Sequence, residues 1–320
     1  MNDATVIGRR IIRVADEAVN LFVLTAVLLL LVFGCYAVWD SNQVADDASA
    51  ERYATYKPSA AKGGKSFHEL QVINSDVFGW LTVYGTNVDY PLVQGKDNMV
   101  YITTSAEGKH SISGAIFLDS KSSKDFTDFN SIIYGHHMAR RVMFGDIGLF
   151  GDQQFFDDHR YGKLYYGGIE HGIEFFAFIS CDAYDSKVFN PSVQGLENQQ
   201  DYLDMLLNMA LFKRNDVPVT TNDHLVMLAT CSNILTNGRS LLVGKITNKV
   251  VDDPFKLEAP VNNNLFPAIS AVQGIWAEAP IWAKVMVIAL LLLLIALLIS
   301  YIYKRTQRRT RYQERRNIRW

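Results

Sequence analysis

Two long apolar runs bracket the chain, and a shorter alternation fills the space between them. Residues 21–39 carry no charge and are closed by Asp40; residues 285–303 carry none either and are mostly Leu, Ile, Val and Ala. A helix needs about 20 such residues to cross a hydrocarbon core of roughly 30 Å, so each run predicts a membrane span. Between them, "GWLTVYG", "YPLVQ", "GAIFLD", "SIIYG", "GKLYYGG", "EFFAFISCDAY", "HLVMLATC" and "RSLLVGKIT" are rich in β-branched and aromatic residues, and Gly, Asn, Asp or Pro bounds most of them. Such runs predict strands. About eight in succession predict a closed or nearly closed barrel, because an open sheet edge is an aggregation liability. Two helices interrupt the pattern. "SFHELQVIN" has helical spacing at Phe67, Leu70 and Ile73, with Ser66 as N-cap and Glu69 three residues on. Tyr202, Leu203, Leu206, Leu207, Ala210 and Leu211 recur at three and four, with Asn198 as the expected N-cap.

Charge sets the topology. The net charge of −2 over 320 residues gives no reason to expect a nucleic-acid partner. The balance hides an asymmetry: Arg9, Arg10 and Arg13 precede the first apolar run, and residues 304–320 carry eight Lys/Arg against the single acid Glu314. The segments inside the spans start with Asp40, Asp46, Asp47 and Glu51 and end with Glu278 and Lys284. The positive-inside rule therefore puts both termini in the cytoplasm and the middle of the chain outside. The alternative is a cleaved signal peptide, but the Ala-Ser-Ala at 48–50 lies about 10 residues beyond the apolar run, too far for the usual geometry. Before Cys35 in "LVFGC", Gly34 suits a lipoprotein site, but Phe33 is bulky and the apolar run continues past the cysteine. The expected organisation is a cytoplasmic N-terminus (1–20), a transmembrane helix (21–39), an extracytoplasmic linker (40–65), a mainly β catalytic domain (66–252), a second linker (253–284), a second transmembrane helix (285–303) and a basic cytoplasmic tail (304–320).

The chemistry concentrates where the strands end. "HLVMLATC" ends at Cys231 and "RSLLVGKIT" begins at Arg239, with the Asn237-Gly238 turn signal before it. Adjacent antiparallel strands joined this way bring a thiol and a guanidinium face to face. A fixed cation favours the nucleophilic thiolate and can donate to an oxyanion; the bland alternative is a buried Cys231 and a solvated Arg239. The only other cysteine of the exported region is Cys181, and a Cys181–Cys231 disulfide stays open at this point. For proton transfer, "NSIIYGHHM" offers His136 and His137 at the end of a strand. His68, His110, His159, His171 and His224 are expected at the surface. The His pair could share a metal with Cys231 or Asp119, but no spacing matches a zinc pattern, so neither metal nor cofactor is expected.

These motifs carry a family resemblance. "LATC" before a downstream Arg resembles the sortase signature, with Met227 in place of its first Thr, and "FGWLTVYGTNVDYPLVQGKDN", "GAIFLD" and "NSIIYGHHM" followed by "MFGDI" are similar to class B sortases from about residue 67 to 250. The resemblance implies a cysteine transpeptidase on an eight-stranded barrel that cleaves a C-terminal sorting signal of exported proteins through a thioacyl-enzyme. It implies Cys231 as nucleophile, His136 as proton donor to the leaving amine, Arg239 at the oxyanion or substrate backbone, and Asn98, Ile102 and Thr230 as substrate-binding positions. Asn233 is a weaker thought as a third triad member. The implied partners are exported proteins with a sorting signal and an amine acceptor, either a lipid-linked peptidoglycan precursor or a pilin lysine, at the membrane of a Gram-positive cell. A second, C-terminal span is more familiar among pilin-polymerising sortases, whose Asp-Pro-aromatic lid lies upstream of the domain; "DPF" here lies at 253–255, downstream. The competing readings are a membrane-held peptide-binding module and a hydrolytic cysteine protease.

Overall fold

The computed structural model describes residues 3–58, 66–231 and 238–255. The described residues from 43 to 255 form one compact unit, and those from 3 to 42 belong to a separate one.

Nine strands make one sheet: β1 (Val77–Val83), β2 (Asp89–Val93), β3 (Ile116–Leu118), β4 (Asn130–Tyr134), β5 (Tyr161–Tyr166), β6 (Ile169–Asp182), β7 (Ala210–Lys213), β8 (Leu225–Cys231) and β9 (Gly238–Thr247). Their order is β5-β1-β2-β3-β4-β8-β9-β6-β7, and β5 also pairs with β6. Eight strands therefore close on themselves, leaving β7 as an added edge on β6. Two neighbours are parallel, β2 with β3 and β4 with β8. All eight of the strand-like sequence runs supply barrel strands.

Both faces of β8 are covered, which explains its unbroken apolar run. Val226 and Leu228 join the cluster that contains Ile133, Phe178 and Leu242. Leu225, Met227 and Ala229 face the other way, into a cluster with Ile132, Ile179, Leu241 and the buried side of a helix. Four α-helices are described: α1 (Asp3–Asp47), α2 (Phe67–Ile73), α3 (Gln153–Asp158) and α4 (Leu196–Met209). The Ser66 hydroxyl accepts from Glu69 N–H at the start of α2, as its sequence predicts. Tyr202, Leu203 and Leu206 of α4 supply that second cluster.

The sequence misreads both ends of α4. Its N-cap is Gly195, at φ +86°, and Asn198 sits inside the first turn, donating to Gln194 O at 2.9 Å. Ala210 and Leu211, periodic with the helix, instead start β7, because pairing with β6 (Phe178 with Phe212, Ala177 with Lys213) satisfies their backbone. Helical spacing cannot register a partner strand thirty residues upstream.

Residues 43–58, read from sequence as linker, pack on the barrel. Tyr53 and Tyr56 of the 3-10 segment Ala50–Tyr56 are buried. Arg52 reaches Glu107 at 3.0 Å. His159 also departs from expectation: it is buried, stacked between Phe155 (3.7 Å between ring centroids) and Phe255 (4.5 Å).

The first predicted span lies within α1. Among the described residues no helix is long and apolar enough to cross a membrane. The side chains described without interruption, residues 22–37, cover only ~24 Å at the helical rise per residue. That run is exposed and apolar, including Phe22, Leu24, Leu29, Leu30 and Phe33. The second predicted span (285–303), its linker beyond residue 255, the basic tail and Asn233 lie outside the described residues.

Candidate active site

β4 and β8 run parallel, with Tyr134 paired to Ala229. Two residues beyond that pair, Cys231 ends β8, while His136 lies in the loop just past the end of β4 at Tyr134. Gly135 N–H donates to Ala229 O at 3.2 Å, carrying the pairing one residue past Tyr134. On the other side of β8, Cys231 is paired with Arg239 of β9. Arg239 is in turn paired with Cys181 of β6. One transverse row thus reads Cys231, Arg239, Cys181 across β8, β9 and β6, and His136 lies in the loop that leaves β4. Cys181 lies on the sheet face of Ile132, Ala229, Leu241 and Ile179, the α4 side, and strand alternation puts Arg239 on the face of Leu241.

His136 is half-buried, and its Nε2 lies 2.8 Å from Ile102 O. A carbonyl oxygen only accepts, so Nε2 carries the hydrogen and Nδ1 is the nitrogen left to take up or deliver a proton. Ile102 ends the 3-10 segment Val100–Ile102, and its backbone thereby fixes the imidazole. Asn98 belongs to the same neighbourhood through a different route. Its Nδ2 donates to Asp119 Oδ2 at 2.8 Å, and its Oδ1 accepts from Ser120 N–H at 2.8 Å. The buried Asp119 also accepts from Tyr134 OH at 3.2 Å and from Lys121 N–H at 2.9 Å. Burial, and then the Asp119 carboxylate, push the Tyr134 phenol up, while Arg239 pulls it down. The Tyr134 hydroxyl therefore lies between a carboxylate and the guanidinium's field.

Thr230 is placed differently from Asn98 and Ile102. It is buried, shares the interior parity of Val226 and Leu228, and its Oγ1 has no hydrogen-bond partner among the described residues. Its side chain lies on the opposite face of β8 from Met227 and Ala229. Cys181 is buried and its thiol is pushed up to about 11, by burial first and then by Asp185 and Asp182, against the opposing pull of Arg239. Asp119 and Tyr134 were not singled out from sequence as a pair; nothing in "GAIFLD" or "SIIYG" signals a shared hydrogen bond.

No family model matches the chain. Curated relatives do. Sortase B of Listeria monocytogenes is 32% identical over 185 residues, a match covering 57% of this chain and 74% of that protein. The chain belongs to the sortase B family. Sortases are cysteine transpeptidases that act on sorting-signal substrates, and the fold agrees with solved members. Sortase B from the type II pilus of Streptococcus pneumoniae is 48% identical with a TM-score of 0.51, over 57% of this chain and 99% of that one. A Streptococcus pyogenes class B sortase involved in pilus biogenesis is 38% identical with a TM-score of 0.52, over 56% and 97%. This sortase therefore has its family's closed barrel.

Proposed function

We propose that this sortase works as a membrane-held transpeptidase of exported proteins, with Cys231, His136 and Arg239 as its catalytic residues. The observation that carries the reading is the juxtaposition itself: a strand-terminal cysteine paired with an arginine on one side, and on the other a parallel strand that leads within two residues to a histidine. Cys231 attacks the scissile carbonyl of a sorting signal as its thiolate. The C=O electron pair moves to oxygen, and the Arg239 guanidinium stabilises that oxyanion. Collapse breaks the C–N bond, and His136 gives its proton to the departing amine. An incoming amine then attacks the thioester, loses a proton to His136 and releases the Cys231 thiolate. Asn98, Ile102 and Thr230 are the positions proposed to border the signal-binding groove.

The exposed apolar run of α1 and the basic flanks of both apolar stretches support anchoring with the barrel outside the cell. Likeness to sortases of pilus systems supports a pilin lysine as acceptor, and a lipid-linked wall precursor is the other amine of suitable chemistry. The test is mass spectrometry of the full chain mixed with a pool of sorting-signal peptides. A lysine peptide or oligoglycine is then added. The expected result is a peptide mass on Cys231 that moves to one of the two amines. An adduct that only hydrolyses would favour a protease, and binding without any adduct a non-catalytic module.

A further inference from the structure

The chain leaves β4 through a strained loop. Arg140, Arg141 and Met143 all lie at positive φ, between +53° and +61°. Left-handed backbone is unfavourable for side chains of this size and persists only where surroundings over-determine it. Those surroundings are specific. Phe144 N–H donates to His136 O at 3.0 Å, and His137 is bridged to Met143. Arg141 is held by the fully buried Asp146 at 2.6 Å, and Asp146 also accepts from Asn87 N–H at 2.8 Å. Met143 N–H donates to the Tyr90 hydroxyl at 2.8 Å. That hydroxyl in turn donates to Ala48 O at 2.9 Å.

One buried phenol therefore joins the histidine loop to the segment that precedes the barrel. Tyr90 and Ala48 are both buried, Tyr53 packs edge-on against the Tyr90 ring at 6.5 Å, and Arg52 pins the same segment from outside through Asp47 and Glu107. A tyrosine hydroxyl can accept one hydrogen bond while donating another, which is what this junction requires. Phenylalanine would keep the ring packing and strand both an N–H and a C=O.

We propose that Tyr90 is a positioning residue for His136: it holds loop 136–144 against the backbone of residue 48, and segment 48–56 is a structural support of the active site. The proposal rests on reading His136 as the catalytic proton donor. It does not concern substrate contact, since Tyr90 lies inside the fold.

The experiment compares full-length wild type, Tyr90→Phe, Arg52→Ala and His136→Ala. Turnover of a sorting-signal peptide pool with oligoglycine is normalised to alkylatable Cys231, and amide hydrogen exchange is followed at Met143 and Phe144. Tyr90→Phe is expected to lower kcat about tenfold with KM unchanged, as misplacing a catalytic group does, and to speed exchange at both amides. Arg52→Ala is expected to act in the same direction by about two- to threefold, because the segment is loosened without touching the interior. A Tyr90→Phe protein with wild-type kcat and exchange overturns the proposal. If Tyr90→Phe does not fold, unchanged kcat and exchange in Arg52→Ala overturn it instead. Wild-type turnover in His136→Ala would refute the histidine's role, while the exchange data would still report on the Tyr90 link.

Discussion

Cys181 and Cys231 sit at the same register position two strands apart, with Arg239 between them. At the usual strand spacing their Cα atoms are about 9.5 Å apart, beyond the reach of a disulfide, which needs about 7 Å or less. The two barrel cysteines thus stay separate thiols, and Arg239 stands between them. Their chemistry should differ accordingly. The Cys181 thiol, pushed up to about 11 by burial, is neutral across pH 7 to 9. Iodoacetamide at pH 8 should label Cys231 in the folded chain and reach Cys181 only after denaturation. Peptide mapping decides this, and equal labelling of the two in the native protein would refute it.

Arg239→Lys should lower kcat/KM by about a hundredfold or more, because a lysine ammonium cannot reproduce the planar fork that meets an oxyanion from two donors. The stability of the variant should stay near wild type, since lysine can snorkel from the same strand end. Steady-state kinetics beside a denaturant titration separates the two effects.

Gly135, between Tyr134 and His136, has no room for a side chain. A Cβ there would lie 2.5 Å from Ile116 Cδ1 and 2.7 Å from the Phe144 ring. Gly135→Ala should cost about 1–3 kcal/mol through overpacking. It should also lower kcat, because the strain relaxes by moving His136. Chemical denaturation and kcat on the same preparation test both halves; wild-type values for each would show the crowding is relieved elsewhere.

Glu107 ties the pre-barrel segment to acid stability. Burial disfavours its charge, but Lys109 and Arg52 outweigh burial and hold the carboxyl below its ordinary value of 4.5. A depressed carboxyl contributes stability above the unfolded-state value, and that contribution is lost as pH falls through the folded one. The stability advantage of wild type over Glu107→Gln should therefore be constant near neutrality and shrink below about pH 4.5. An advantage that grows on acidification would reverse the assignment.

The barrel was largely legible in the sequence because its strands are short, apolar and punctuated, and because Cys231 and Arg239 flank a hairpin signal. What the pattern could not carry was anything decided by a distant partner. Ala210 and Leu211 have helical spacing, yet β6 claims them as strand. His159 has a polar neighbourhood in sequence, yet Phe255 closes over it from beyond the barrel. Thr230 neighbours the nucleophile in sequence and still faces inward. Tyr90 reads as an ordinary strand residue and Asp119 only as a discounted metal ligand; their contacts are to residues distant in sequence such as Ala48, Asn98 and Tyr134.

The parallel pairing of β4 with β8 joins residues 130–134 to residues 225–229. Closing so long a loop is entropically uphill until non-local contacts repay it, and such contacts form late in folding. His136 and Cys231 are brought together by that long-range pairing and by no local segment, so their proximity is a property of the closed barrel.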